Sequence, residues 1–155
     1  MVAAGRKELD RIHSNRCFAS PGGPKLAGDF ETTPTALPNA QTVATAALSD
    51  LLHKGPQPIV IDVGSGAAVI PGASWINDTF PSVDSQADLE KEILRLSNGD
   101  RGKQIVVMGS NVFDWNPYNA TLAVLALGYR NVLWYRGGEE AWAQSGGPAE
   151  DRRGQ

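Results

Sequence analysis

Three short apolar runs, rich in β-branched residues, constrain the fold of this chain more than any other feature. They occupy residues 59–63, 104–108 and 131–135. Apolar runs of this length are typical of strands that are covered on both faces. Segments with helical spacing separate them, and Trp75-Ile76 adds a brief strand. Because strands alternate with helices, the sequence predicts an α/β fold with a largely parallel sheet.

Four segments are predicted to be helices, because apolar residues recur in them at intervals of three and four. Thr45 is the predicted N-cap of the first helix, and Ser85 with Asp88 forms a capping-box pattern at the second. Asn116 is the predicted N-cap of the third helix, with Pro117 at its first position. The predicted ranges are 45–52, 85–97, 116–127 and 139–144.

The two ends of the chain differ in composition from its middle. Residues 1–38 hold a Pro-Gly-Gly-Pro run at 21–24 and further prolines, which discourage regular structure. We interpret them as an arm that is flexible at its start and docked near Phe30, and we expect the polar tail, residues 149–155, to fray. Between these ends, residues 39–148 are predicted to form one domain.

The composition of the 155 residues argues against several function classes. A net charge of -3 is unfavourable for a nucleic-acid partner, because such domains usually present a basic face. One cysteine, Cys17, cannot form an internal disulfide, and with only His13 and His53 besides, a structural zinc site is not expected. No cofactor is predicted, and no segment of the sequence approaches a membrane span.

The polar start of the chain leaves the compartment open. Residues 1–10 lack the apolar centre of a secretory signal peptide. The protein is therefore cytoplasmic as written, or periplasmic if a signal peptide has been removed. A further alternative is that the chain is a domain of a larger protein.

The carboxyl ends of the strands are the expected position of a ligand site, as in other parallel α/β sheets. The loops that follow these ends are residues 64–72, 109–116 and 136–138, and we call residues 109–116 the site loop. Asp62 interrupts the first apolar run, so its side chain is expected to meet a polar group. The candidate binding residues are Asp62, Gly109, Ser110, Asn111, Asp114, Trp115, Asn116 and Arg136.

Five short motifs follow one another along the middle of the chain: Ile61-Asp62-Val63, Ile70-Pro71-Gly72-Ala73, Ile105-Val106-Val107, Leu127-Gly128-Tyr129-Arg130-Asn131-Val132, and Arg136-Gly137-Gly138 with Glu140-Ala141-Trp142. In this order they resemble a rhodanese-like domain over residues 39–148. The resemblance implies a three-layer fold with a mostly parallel sheet of about five strands, flanked by helices. It also implies sulfurtransferase chemistry through a thiolate in the site loop, where backbone N–H groups and a helix dipole favour an anion.

A narrower resemblance concerns the rhodanese-related proteins associated with quinoprotein-dependent alcohol catabolism, which carry two cysteines and a tryptophan in the site loop. Ser110 stands at the first cysteine position, with Gly109 and Asn111 as neighbouring alternatives. Asp114 stands at the second, and Trp115 matches the tryptophan. The resemblance therefore implies a site loop whose cysteines are replaced. The segments that carry it are residues 34–38 (PTALP), 72–76 (GASWI) and 131–135 (NVLWY).

The chemistry of Ser110 and Asp114 differs from that of a cysteine pair. A serine hydroxyl cannot form a sulfur–sulfur bond, and it stays protonated at neutral pH without a general base. His53 falls at the far end of a predicted helix, which argues against a Ser-His-Asp triad. Asp114 would repel an anionic ligand or would itself take the N–H groups of the loop. A turn or capping role for Asp114 is the alternative.

The aromatic residues near the site loop have two possible roles. Trp115, Tyr118, Trp134 and Tyr135 form either core packing or a recognition surface with Trp115 as its anchor.

The resemblance also implies a role for Asp62, which in the family helps to order the site loop and is often paired with an arginine. Gly64 stands at that arginine position, so Arg136 is the nearest candidate partner. Cys17 lies beside Arg16 in the arm, where an ordinary thiol is a poor nucleophile unless it docks in the site.

We therefore hypothesise a rhodanese-like domain without the catalytic cysteine, acting as a non-catalytic binding or regulatory module. Its ligand would be a protein or a small anionic or sulfur-containing molecule. The alternatives are a sulfurtransferase that uses Cys17 and a hydrolase that uses Ser110 and Asp114.

Overall fold

A parallel five-stranded sheet forms the centre of the molecule in the computed structural model, which describes residues 31–76 and 83–154. The strand order is β1-β5-β4-β2-β3, and every neighbouring pair is parallel. The register aligns Asp62 with Met108 and Met108 with Tyr135, so three strands end level with one another. The strands are β1 (Gln41–Thr42), β2 (Ile59–Asp62), β3 (Ser74–Trp75), β4 (Gln104–Met108) and β5 (Asn131–Tyr135).

Helices cover both faces of this sheet and complete the three layers that the sequence predicts. Leu48 and Trp142 bring the first and last helices onto one face, while Ile93 and Val124 bring the two middle helices onto the other. The predicted α/β fold is therefore confirmed. The helices are α1 (Thr45–His53), α2 (Val83–Ser97), α3 (Trp115–Ala126) and α4 (Gly138–Gln144).

The apolar strand runs bury both faces because side chains alternate along a strand. In β2, Val60 packs with the α1 and α4 layer, while Ile61 packs with the α2 and α3 layer. Val106 and Val107 of β4 divide in the same way, and all four side chains are buried. The apolar runs in the sequence therefore correspond to strands that lie between two helical layers.

Two of the predicted helix starts are wrong by one or two residues. The N-cap of α1 is Ala44, because the Thr45 hydroxyl is engaged at 2.7 Å with the hydroxyl of Tyr135. Helix α2 begins at Val83, which puts Ser85 inside its first turn and excludes the expected capping box.

The predicted start of α3 is also wrong. Its N-cap is Asp114 and not Asn116, because the Asp114 carboxylate accepts the Asn116 N–H. Pro117 consequently lies at the third helical position, where a missing N–H still costs no intrahelical hydrogen bond.

The ends of the described chain both contact the domain. The tail differs from the expectation of fraying, since Glu150 pairs with Val69 through two backbone hydrogen bonds of 2.8 Å and Arg152 donates its N–H to Gly66. The predictions for Cys17 and Phe30 lie outside the described residues. None of the helices in the described ranges has the length and apolarity to cross a membrane.

Candidate functional site

Three loops meet at the carboxyl end of the sheet. The N–H of Glu139, in α4, donates to the Gly109 carbonyl at 2.8 Å, and the N–H of Glu140 donates to the Ser110 carbonyl at 2.9 Å. From the loop after β2, Ser65 donates its N–H to Ser110 Oγ at 3.0 Å. The site loop is therefore held on two sides by neighbouring backbone.

Glycines allow this close approach. A Cβ at Gly64 would lie 2.7 Å from both the Ser110 nitrogen and Glu139 Oε1. Gly138 has a φ of +65°, and a Cβ there would collide with the Gly109 carbonyl. Only glycine combines this conformation with such contacts.

The Asp114 carboxylate lies inside the site loop and accepts its backbone donors. Oδ2 accepts the Ser110 N–H at 2.8 Å, and Oδ1 accepts the Asn116 N–H at 3.0 Å. Burial raises the pKa of Asp114. Both sequence alternatives thus describe one arrangement, in which Asp114 caps α3 and also takes the loop's N–H groups.

Within the described residues, the Ser110 side chain contacts the Asp114 carboxylate and not a histidine. Its Oγ accepts the Ser65 N–H, while His53 lies at the end of α1 and contacts the Ser49 carbonyl through Nδ1. A serine nucleophile needs a base in hydrogen-bonding contact. The geometry therefore offers no support for a Ser-His-Asp triad.

Glu139 is a site residue that the sequence reasoning missed. Its buried carboxylate accepts the Ser65 hydroxyl at 2.8 Å and the N–H groups of Gly66 and Ala67 at 2.9 and 3.1 Å. These three bonds order the loop after β2. Its position directly after the Gly137-Gly138 turn, at the end of a strand, is the signal that could have identified it.

Asp62 meets the polar groups that the sequence predicts, but not an arginine. Its Oδ1 accepts the Gly64 N–H at 2.8 Å, whereas Oδ2 makes no hydrogen bond. Complete burial, followed by repulsion from Glu139, raises the pKa of Asp62 to about 9. A protonated Asp62 beside the Glu139 carboxylate is the state that these surroundings favour.

Arg136 does not pair with Asp62 and contacts Thr33 instead. Its Nη2 donates to the Thr33 carbonyl at 2.8 Å, and its Nε donates to Thr33 Oγ1 at 3.1 Å. The expectation that Arg136 replaces the family arginine is therefore wrong. Thr33 has no local sequence signal for this role, because the contact joins residues 103 positions apart.

The four aromatic residues near the site divide between core and surface. Tyr118 and Trp134 are buried and pack edge to face, with ring centroids 5.6 Å apart. Tyr135 is buried on the opposite face of the sheet, among the residues of the α1 and α4 layer. Trp115 is partly exposed, contacts Tyr118, and donates its Nε1–H to the Glu31 carbonyl at 3.0 Å.

The remaining predicted site residues shape the loop. Asn111 accepts the Phe113 N–H on its Oδ1 at 2.9 Å and the Asp114 N–H on its carbonyl at 3.1 Å. Phe113 is 52% exposed at the tip of the loop. Within the described ranges, no group of three histidine, cysteine, aspartate or glutamate side chains is arranged to hold a metal ion.

Comparisons with known proteins agree with this architecture. The rhodanese-like domain of an Anabaena protein is 22% identical, with a TM-score of 0.53, over 77% of this chain and 83% of that one. The polysulfide-sulfur transferase homodimer of Wolinella succinogenes is 17% identical, with a TM-score of 0.53, over 74% of this chain and 80% of that one. An uncharacterized protein from Saccharomyces cerevisiae is 18% identical, with a TM-score of 0.52, over 70% of this chain and 94% of that one.

These structural likenesses show the fold alone. None of the curated proteins matches the chain. A family model described as the rhodanese-like domain matches residues 44–145, which is more than half of the sequence. The chain therefore belongs to the rhodanese-like domain family.

Proposed function

We propose that this rhodanese-like domain is a binding module that does not transfer sulfur. The observation that carries the proposal is the Asp114 carboxylate, which accepts the N–H groups of Ser110 and Asn116. Backbone donors at the start of a helix are the groups that would stabilise a thiolate or an anionic substrate. With an internal carboxylate on them, they are no longer free for an external anion.

The charge around the site supports the same conclusion. After burial, repulsion from Glu139 also raises the pKa of Asp62 and of Asp114. Thiosulfate is an anion, and repulsion between like charges at short range costs about 1 kcal/mol even in water. The site therefore favours a protein segment over the small anionic ligand that the sequence left open.

The identity of the loop residues supports the absence of sulfur chemistry. The site loop contains no cysteine, and Ser110 stands at the nucleophile position that the family resemblance implies. A hydroxyl cannot carry a persulfide sulfur. Our proposal extends to the narrower resemblance, in which the module would act alongside quinoprotein-dependent alcohol catabolism.

A thiosulfate-to-cyanide assay tests the proposal, with thiocyanate formation as the readout. We expect the full chain and its Cys17→Ala variant to match the uncatalysed background, while an active rhodanese serves as the positive control. Turnover that disappears in Cys17→Ala would establish the alternative sulfurtransferase. Turnover that survives in this variant would contradict the proposal outright.

The hydrolase alternative has its own test with a nitrophenyl ester or phosphate. We expect no turnover above background, because the carboxylate that contacts Ser110, that of Asp114, already accepts the N–H groups of Ser110 and Asn116. Activity that is abolished by Ser110→Ala would overturn this expectation, whereas activity unchanged by that substitution would indicate a contaminant.

A further inference from the structure

Residues 31–33, which we call the strap, lie across the site loop. Trp115 donates its Nε1–H to the Glu31 carbonyl at 3.0 Å, and Thr33 donates its N–H to the Val112 carbonyl at 2.9 Å. Pro34 follows Thr33 and restricts it to extended backbone. Since the partners on the strap are main-chain atoms, another extended segment could make the same hydrogen bonds.

Thr33 adds a side-chain contact that selects a hydroxyl group. Its Oγ1 donates to the Val112 carbonyl at 2.8 Å and accepts Arg136 Nε at 3.1 Å, while Arg136 Nη2 donates to the Thr33 carbonyl at 2.8 Å. Thr33 is only 2% exposed. A hydroxyl can donate and accept at once, whereas the methyl group of a valine can do neither.

We propose that the face formed by Val112, Trp115 and Arg136 is a peptide-binding surface, and that the strap occupies it as an internal ligand. Its partner would be an extended segment of another protein that presents a threonine or serine hydroxyl at the position of Thr33. The inference rests on the proposed function, because it supplies the class of partner that the binding module takes.

The charges around this surface favour an uncharged residue at the Thr33 position. The Asp114 and Glu139 carboxylates of the site disfavour an acidic residue there, while the Arg136 guanidinium, which contacts Thr33, disfavours a basic one. The strap itself serves as the template, since its contacts with the surface include two backbone carbonyls, one N–H and one hydroxyl.

The strap can leave this surface without opening the core. The contacts described above are hydrogen bonds, and Glu31 and Thr32 are exposed. Four residues after Thr33, Leu37 is buried against Tyr118 and Trp134 and anchors the base of the segment. Displacement would therefore exchange one set of hydrogen bonds for another while Leu37 stays in place.

A competition experiment on the full chain tests the inference with a labelled peptide of residues 31–38 as the probe. Thr33→Pro removes the N–H and the hydroxyl of the strap but leaves the surface intact. We expect this variant to bind the peptide at least tenfold more tightly than the unsubstituted chain, measured by fluorescence anisotropy. Adding Arg136→Ala should abolish the gain, and a peptide with Val at the Thr33 position should bind at least tenfold more weakly.

Several results would overturn the inference. One is equal peptide affinity for the unsubstituted chain and Thr33→Pro, and another is binding that ignores Arg136→Ala in protein shown by circular dichroism to be folded. Dimers of the unsubstituted chain in light scattering that dissociate in Thr33→Pro would assign the surface to a second copy and also refute the proposed partner. Thiocyanate formation in the sulfur-transfer assay would contradict the proposed function without changing the peptide affinities. The failure of the function and the failure of this inference are therefore distinguishable.

Discussion

The two ends of the sheet handle buried polar groups in opposite ways. At the amino end, the Arg101 guanidinium stacks 4.7 Å from the centre of the Tyr129 ring and donates to the Leu127 carbonyl at 2.9 Å. The Tyr129 hydroxyl contacts Ser97 at 2.7 Å and accepts Arg101 Nη1 at 3.2 Å. The charge and the hydroxyl at this end therefore both have partners.

At the carboxyl end, the acids Asp62, Asp114 and Glu139 lie together. The nearby cation Arg136 donates its hydrogen bonds to the uncharged Thr33. One oxygen of Asp62 has no hydrogen bond. This end retains a cost in stability that the amino end avoids, which is typical of a region kept for binding. The comparison predicts that substitutions at the two ends will have opposite effects on stability.

The largest effect is expected at the amino end, from Tyr129→Ala. Loss of the buried ring and its contacts with Arg101 and Ser97 should lower the free energy of unfolding by about 3–5 kcal/mol. Urea denaturation measures this change. The control Tyr129→Phe keeps the ring and should lose only about 1 kcal/mol. Equal losses in the two variants would show that the hydroxyl network, and not ring packing, dominates this end.

The next effect is expected from Asp62→Asn, which should stabilise the protein increasingly as the pH rises. The pKa of Asp62 is about 9 in the folded protein, far above its value in the unfolded chain. At pH values between the two, the folded protein therefore holds a proton that the unfolded chain has lost. Stability contributed by this group therefore falls by about 1.4 kcal/mol for each pH unit as the pH rises through that window. The advantage of Asp62→Asn should grow at this rate between pH 5 and pH 8.

Urea denaturation at each pH measures this advantage, with the exposed Asp88→Asn in α2 as the matched control. The control should follow the unsubstituted protein at every pH. A constant difference between Asp62→Asn and the unsubstituted protein from pH 5 to pH 8 would refute the assignment of a buried proton to Asp62.

The smallest effect is expected from Phe113→Ser, at the tip of the site loop. Because Phe113 is 52% exposed, the substitution should change the free energy of unfolding by less than about 0.5 kcal/mol. Leu94→Ser, at a 39% exposed position of α2, is the control and should behave similarly. If Phe113→Ser lowers the free energy of unfolding by more than about 1 kcal/mol and Leu94→Ser does not, the loop tip is packed in solution.

The sequence by itself determined the fold. Short, mainly apolar runs at β2, β4 and β5 predict strands buried on both faces, and the intervening helical spacing predicts a parallel sheet. These patterns are local and repeat over many residues, so errors of one or two positions at Thr45, Ser85 or Asn116 leave the architecture unchanged. The placement of the site at the carboxyl ends followed from the same alternation.

Only the tertiary structure decided how the site residues pair. The family resemblance implies an arginine beside Asp62 and makes Arg136 the nearest candidate, yet Arg136 contacts Thr33, and Glu139 is the charged group beside Asp62. The sequence leaves two roles open for Asp114, because spacing does not show that one carboxylate can accept from both Ser110 and Asn116. Hydrogen bonds depend on distances of tenths of an ångström between segments far apart in the chain, which periodicity does not encode.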